Sequence, residues 1–404
     1  MILNRIFLGN VFKLASSNLT NLIVPIVTIP ILTKSIGLEN YGQYVLFMTI
    51  LTFGQTIIDY SSNLKGIRDI SFFESDVKKI FTSYFIIRLF MLLVFILITV
   101  LFYLAYDKNV TDVFAYVFPY SLGYLLLSSW FLQYKNQMSV LLWYTLFTKL
   151  LLLFGILFFI SNKSDYKLLL LITSLPTLIW GGGVFIIKKH YTYLSRKIAF
   201  SDVYDLYVSG VNIFLGLLTP NLYNSIPLMI VGAIFDKKEF ATYAIASKLC
   251  GIVYSFISVI GRAAYPIICR NNKSKELKDL IFINLSLTSI SFLFISFLSE
   301  FLLEYFFHID TQNNIYFVVL SLSLIFVGLS NAMTIGYIFP NGLDRIYRNH
   351  TVIISIFSSM LVYFLIIEIG ILGCAIGLLC ARVLLCFSYA QITYSSIKNG
   401  RAIF

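Results

Sequence analysis

The sequence predicts an all-α membrane protein of twelve transmembrane helices, in two six-helix lobes related by a pseudo-two-fold axis along the membrane normal. Three observations predict it. The 404-residue chain is 59% hydrophobic and only 12% charged, about half the roughly 25% charge of a soluble domain, and its mean hydropathy is +0.87. Apolar windows of about 20 residues, the length that crosses hydrocarbon, recur twelve times. The basic residues segregate into alternate connecting segments.

The windows fall near 11–33, 41–59, 81–106, 113–132, 139–160, 168–187, 207–234, 240–268, 280–307, 314–339, 351–368 and 371–393. Met1 to Leu14 contains no long apolar core and no small-residue cleavage site, so the first helix is expected to be retained. With the N-terminus inside, nineteen of the 30 Lys and Arg residues fall in cytoplasmic segments, clustering at Lys78–Lys79, Lys188–Lys197 and Lys273–Lys278. Only six (Lys34, Lys108, Lys163, Lys167, Lys237 and Lys238) fall outside. Both termini are therefore expected in the cytoplasm. The last five, Arg88, Lys149, Lys248, Arg262 and Arg382, lie within spans. The net charge of +11 is thus part topology signal and part intramembrane cation, and nucleic-acid binding is not expected.

The chain divides at the basic segment between Lys188 and Asp205. This gives an N-terminal lobe over 1–190, a cytoplasmic linker over 191–205 and a C-terminal lobe over 206–404. An offset of about 199 relates Asn40-Tyr41 and Tyr44 to Glu239-Phe240 and Tyr243, each pair following a proline-containing helix. Six helices per repeat is an even number, so both halves share one orientation and a substrate path is expected between them. All loops are short, which leaves no room for a soluble active site, and the chain is not expected to be an enzyme. Cys250, Cys269, Cys374, Cys380 and Cys386 lie in or beside apolar spans without C-x-x-C spacing, and His190, His308 and His350 have no ligand-spaced partner. Neither disulfide, metal site nor cofactor is expected.

Four spans carry polar stripes at helical spacing. They are Asn18, Asn21, Pro25 and Thr28 on the first; Thr49, Thr52, Thr56 and Asp59 on the second; Ser209, Asn212, Gly216, Thr219 and Tyr223 on the seventh; and Lys248, Gly251, Ser255, Ser258 and Arg262 on the eighth. Any one stripe is also explained by helix packing, because small residues line helix contacts and Ser and Thr bond back to their own turn. Recurrence at equivalent places in both halves, with cations on one, points to a polar cavity. A lipid-facing cation costs roughly 2.5–3.5 kcal/mol at mid-membrane, so Lys248 and Arg262 are expected to face an anion-accepting space. Fourteen residues apart, they lie about 21 Å apart along the axis. Lys149 and Arg382 fall mid-span, Arg88 is placed to snorkel to headgroups, and Asp59 is either a coupling residue or a helix-end ion pair near Lys65 and Arg68. Pro25, Pro30, Pro220 and Pro227 predict bendable helices.

The run PILTKSIGLENYGQY from Pro30 to Tyr44, then Asp59 and IRDIS at Ile67 to Ser71, resembles the polysaccharide transporter family, specifically the Wzx-type flippases of O-antigen and capsule repeat units. SSWFLQYKNQM from Ser128, YAIASKL from Tyr243, and GYIFPNGLDR from Gly336 with Gly370 and Gly373 agree with it. Tyr60 and Ser61 depart from the family's aromatic-glycine pattern after the aspartate. The resemblance implies a member of the multidrug, oligosaccharidyl-lipid and polysaccharide exporter superfamily in the bacterial inner membrane, with its lobes forming a V-shaped central cleft. It implies undecaprenyl-diphosphate-linked oligosaccharide as substrate, contacted by Arg262 and Lys248, with Lys149, Asn18, Asn21, Asn212 and Arg382 as further candidates. Asp59 is the candidate for coupling to a proton or cation gradient. Membrane lipids, a polysaccharide polymerase and a chain-length regulator are the implied partners. A multidrug or cation antiporter of the same superfamily is the alternative, and would need buried carboxylates. A facilitator carrier would need a G-x-x-x-D-R-x-G-R-like loop, which Lys65 to Lys79 lacks, and a membrane polymerase would need a larger outer loop.

Overall fold

A computed structural model describes residues 20, 24–25, 27–72, 76–106, 109–135, 137–195, 198–270, 273–306, 314–341 and 343–398. Among these, every regular element is helical: α1 Gly37–Asp59, α2 Ile67–Phe72, α3 Val77–Ala105, α4 Phe118–Leu127, α5 Ser129–Tyr134, α6 Met138–Phe159, α7 Tyr166–Ile187, α8 Phe200–Leu218, α9 Ser225–Ile234, α10 Lys237–Arg270, α11 Lys273–Phe301, α12 Ile315–Met333 and α13 Asp344–Lys398. Nine stretches of the described residues are long and apolar enough to cross a membrane. Helices are the spanning solution because each satisfies its own backbone where no water is available.

α3 shows how an apolar helix is shared between lipid and protein. Phe90, Leu93, Leu97, Leu101 and Leu104 are exposed at spacings of three and four residues, while Phe81, Tyr84, Arg88, Leu92 and Phe95 are buried on the other side. An apolar face left outside at this length suits hydrocarbon rather than water.

Two compact units are present, each described on its own. The first holds Leu46–Leu218 with the chain up to Asn40; the second holds Thr219–Phe404 and the turn Tyr41–Val45. In the first unit α4 and α7 meet through glycines: a Cβ on Gly181 would stand 2.0 Å from the Gly123 carbonyl oxygen, and one on Gly123 would stand 2.4 Å from that of Thr177. Small residues allow this backbone approach. Ser128 takes a left-handed conformation (φ 46°) between α4 and α5, so the window 113–132 is one span in two helical pieces. Beneath them Ile70, Ile80, Phe81, Tyr84, Trp130 and Phe131 form a buried core.

In the second unit α13 breaks at Ile369 and Gly370, where Gly370 has φ 65°, between the windows 351–368 and 371–393. Its limbs fold together: a Cβ on Gly373 would lie 2.0 Å from the Leu365 carbonyl oxygen, and His350 Nδ1 lies 2.8 Å from Ser388 Oγ. Asn284 of α11 donates to the Gly328 carbonyl of α12 at 3.1 Å. The turn Tyr41–Val45 packs on α10 so tightly that a Cβ at Gly42 would meet the Lys237 carbonyl oxygen at 2.6 Å. The Tyr-Gly pair therefore has a packing reason.

The window 207–234 is not one helix. α8 ends at Leu218, a 3-10 turn covers Thr219–Leu222, and α9 begins at Ser225. Pro220 lacks the N–H that would continue α8 and crowds the turn before it. The seventh-span stripe is accordingly split: Ser209, Asn212 and Gly216 belong to the first unit, Thr219 and Tyr223 to the second.

Candidate functional site

The first polar cluster is built where α1 ends. Arg88, in the middle of α3, is wholly buried, and its Nη2 lies 3.5 Å from Asp59 Oδ1. The Tyr124 hydroxyl and the Asn63 amide each donate to Asp59 Oδ2 at 2.5 Å. Arg88 also donates to the Leu125 carbonyl and to Ser128 Oγ, both at 3.3 Å. The left-handed bend at Ser128 thus turns a hydroxyl and carbonyls of the α4–α5 junction toward the guanidinium. Arg88 does not snorkel. Its place eight residues inside the span is overridden by a buried acceptor set, since a paired charge inside protein avoids the desolvation that drives snorkelling.

Asp59 therefore pairs across helices with Arg88. Lys65, its sequence neighbour, binds Asp69 instead, Nζ to Oδ2 at 2.5 Å with both side chains largely buried, and the Tyr84 hydroxyl donates to the same oxygen at 3.1 Å. Asp59 and Asp69 are thus each held by a cation and a tyrosine.

The second cluster lies in the second unit, around a cavity of about 400 Å³ walled by residues of the 3-10 turn Thr219–Leu222 and its flank, of α10, of α12 and the turn that follows it, and of α13. Arg382 lines it, with Tyr223, Tyr254, Tyr347 and Tyr389, and with Asn224, Asn331, Ser330, Thr334 and Thr351. Arg382 Nη1 donates to Ser323 Oγ, and that hydroxyl in turn donates to the Leu320 carbonyl. Among the described residues no carboxylate pairs with Arg382. The Tyr389 hydroxyl is 2.9 Å from Thr351 Oγ1, and its ring lies 5.2 Å from that of Tyr347, so the aromatic wall is fixed by contacts across the α13 limbs.

The remaining candidates fall in both units or outside the described residues. Lys248 is exposed on α10, Asn212 is exposed on α8, and Lys149 is half-buried on α6. Lys248 makes no ion pair among the described residues. The backbone of Arg262 belongs to α10, but its side chain lies outside the described residues, as do Asn18 and Asn21. Lys149 and Asn212 belong to the first unit, Lys248 and Arg382 to the second. Hydroxyls of the stripes bond to their own helices: Thr52 to Thr49 at 3.0 Å, Ser209 to Asp205 at 2.7 Å and Ser255 to Gly251 at 2.9 Å. That is the back-bonding that packing alone predicts. Tyr124, Asn63 and the tyrosines of the cavity were not singled out by the sequence. Only Tyr389 carried a periodic signal, seven residues and two turns from Arg382 on one limb of α13; Asn63 lies past the end of α1, and Tyr124, Tyr223 and Tyr254 lie on other segments than the charge they neighbour.

No group of three or more His, Cys, Asp or Glu side chains among the described residues is placed to hold a metal.

A helical membrane-spanning chain with intramembrane cations defines a class by its fold, and solved structures share that fold. The lipid II flippase MurJ in an inward closed conformation matches 96% of this chain and 87% of its own, with TM-score 0.72 and 14% identity. An inward-facing multidrug resistance MATE family transporter of the MOP superfamily matches 95% of each chain, with TM-score 0.61 and 13% identity. The eukaryotic MATE transporter AtDTX14 matches 98% of this chain and 95% of its own, with TM-score 0.57 and 13% identity. Among curated proteins, "Putative O-antigen transporter" of Escherichia coli (strain K12) is 24% identical over 290 residues, 70% of this chain and 69% of that one. Residues 7–272 match the family described as polysaccharide biosynthesis protein, and the chain belongs to that family.

Proposed function

We propose that the protein is a flippase that moves undecaprenyl-diphosphate-linked O-antigen or capsule repeat units from the inner to the outer leaflet of the bacterial inner membrane. Two six-helix lobes, 1–190 and 206–404 joined by the linker 191–205, would alternate access to a cleft between them. Both termini would be cytoplasmic. The family, the E. coli relative named as an O-antigen transporter and the fold shared with a lipid II flippase support this reading.

The observation that carries it is the distribution of intramembrane charge. Lys248 and Arg382 lie in membrane-spanning helices without a carboxylate partner among the described residues, whereas Asp59 is already bound by Arg88. Unpaired cations favour an anionic cargo, and a diphosphate accepts charge-assisted hydrogen bonds from several donors at once. Arg262, fourteen residues beyond Lys248 on α10, would meet the same cargo at a second depth. Lys149, Asn18, Asn21 and Asn212 are its further contacts in this reading. Moving such a headgroup through hydrocarbon unaided is prohibitive because its charge would be stripped of water. The polyprenyl tail would stay in lipid.

Replacing Lys248 and Arg262 by Ala should abolish surface polysaccharide at normal protein levels and leave untranslocated lipid-linked units on the cytoplasmic side. Unchanged polysaccharide with both removed, or accumulation of translocated but unpolymerised units, would overturn the assignment. Coupling through Asp59 is tested by the same assay after collapse of the proton or sodium gradient.

A further inference from the structure

We infer that the cavity around Arg382 is a subsite for a single sugar ring carrying one oxyanion, bound with the anion on the guanidinium and the ring against the tyrosine wall.

Arg382 is an always-charged group in a membrane-spanning helix. A guanidinium has five N–H donors in a fixed fork. Among the described residues its one hydrogen bond is to the Ser323 hydroxyl, whose own proton is committed to Leu320. Ser323 therefore positions the guanidinium without neutralising it. A cation in this setting calls for an anionic partner, and among the described residues the protein supplies none. The ligand is left to supply it, and a planar fork suits a phosphate or carboxylate.

The rest of the wall sets the other half of the ligand. Tyr223, Tyr254 and Tyr389 line the cavity with Arg382, and so do Asn224 and Asn331, whose bonds to the Pro220 carbonyl and from Asn284 use one donor of the first and one lone pair of the second, where an amide has two of each. An apolar anion would waste those amides, and a free inorganic ion would not use the rings. A pyranose uses both, with C–H groups on an aromatic face and hydroxyls toward amides. At about 400 Å³ the cavity is at the small end of ligand pockets, roughly 300–1,000 Å³, and it suits one unit rather than a whole oligosaccharide. Where that unit comes from rests on the function proposed above: it is either the sugar next to the diphosphate or an acidic sugar within the repeat.

The test is ligand-observed saturation-transfer NMR on the full-length protein in lipid nanodiscs. The probes are glucose 1-phosphate, methyl glucuronide, neutral methyl glucoside and inorganic phosphate. At least one anionic sugar should bind tenfold or more tightly than both the neutral glycoside and phosphate, and Arg382→Gln should remove that preference. Arg382→Lys should keep part of it, and Tyr254→Ala should weaken the sugars while leaving phosphate unchanged. Preference for the sugar phosphate assigns the subsite to the diphosphate-linked residue; preference for the glucuronide assigns it to the repeat. Equal binding of neutral and anionic sugars, or unaltered binding in Arg382→Gln, overturns the inference. If Arg382→Gln does not fold, loss of the anionic preference of the unaltered protein at high salt replaces it, and a preference independent of salt overturns the inference. Because no transport step is measured, binding that persists in a chain inactive in translocation would separate failure of the flippase reading from failure of this subsite.

Discussion

Arg88 is fully buried with its Nη2 3.5 Å from Oδ1 of Asp59, and the two side chains sit on different helices 29 residues apart in the chain. Removing one partner of such a pair strands the other in a low-dielectric interior, at a cost of roughly 3–5 kcal/mol. Asp59→Ala and Arg88→Ala should each lower the thermal midpoint in detergent substantially. The double variant, with no stranded charge, should lose less than the sum, and strict additivity in the double-mutant cycle would contradict the pairing.

Three adjacent glycines on α7 should respond differently to the same change. A Cβ on Gly181 collides with the Gly123 backbone, while one on Gly182 or Gly183 would meet nothing within 4 Å beyond its own helix among the described residues. Gly181→Ala should destabilise by about 1–3 kcal/mol or more through overpacking. Gly182→Ala and Gly183→Ala should be neutral or stabilise by about 0.5–1 kcal/mol, because alanine favours helix. Thermal unfolding of the three variants side by side checks the contrast.

His190, beyond the end of α7, is buried against Phe81, Phe131 and Phe185, with no hydrogen-bond partner for either ring nitrogen among the described residues. Burial, reinforced by Lys135 and Lys188, pushes its pKa down from 6.5 to about 4. Between those values the unfolded chain binds a proton that the folded chain refuses, so stability falls as pH drops from 6.5 toward 4. The loss should be on the order of 2–3 kcal/mol across the window. His190→Phe should flatten this part of the stability–pH curve, measured by denaturation at pH 7 and pH 4.5.

Gly370 holds the break in α13 at φ 65°, and a Cβ there would also lie 3.1 Å from Phe235 Cε1. Gly370→Ala should cost roughly 1–3 kcal/mol, because φ 65° with ψ -139° lies in a region that side-chain-bearing residues rarely adopt. Phe235→Ala in the same background should fail to restore the loss if backbone strain is its cause; full recovery of the thermal midpoint would assign it to the ring instead.

The sequence by itself determined the apolar spans, the separation of α13 into two limbs, and the presence of cations inside the membrane. These depend on hydrophobic length and on local backbone chemistry, such as the glycine at Gly370, which act within one or two helical turns. Spacing alone suggested continuous stripes, and it placed Arg88 at the headgroups and Asp59 beside Lys65. Tertiary structure decided otherwise: Pro220 splits the seventh-span stripe, Arg88 turns inward to Asp59, and Lys65 takes Asp69. It also brought Tyr223, Tyr254 and Tyr389, from three separate segments, to one cavity with Arg382. Helical periodicity says which residues share a face. Which faces meet depends on contacts between residues distant in the chain, set here by glycine approaches such as Gly123 to Gly181 and by the demand that a buried charge find a partner.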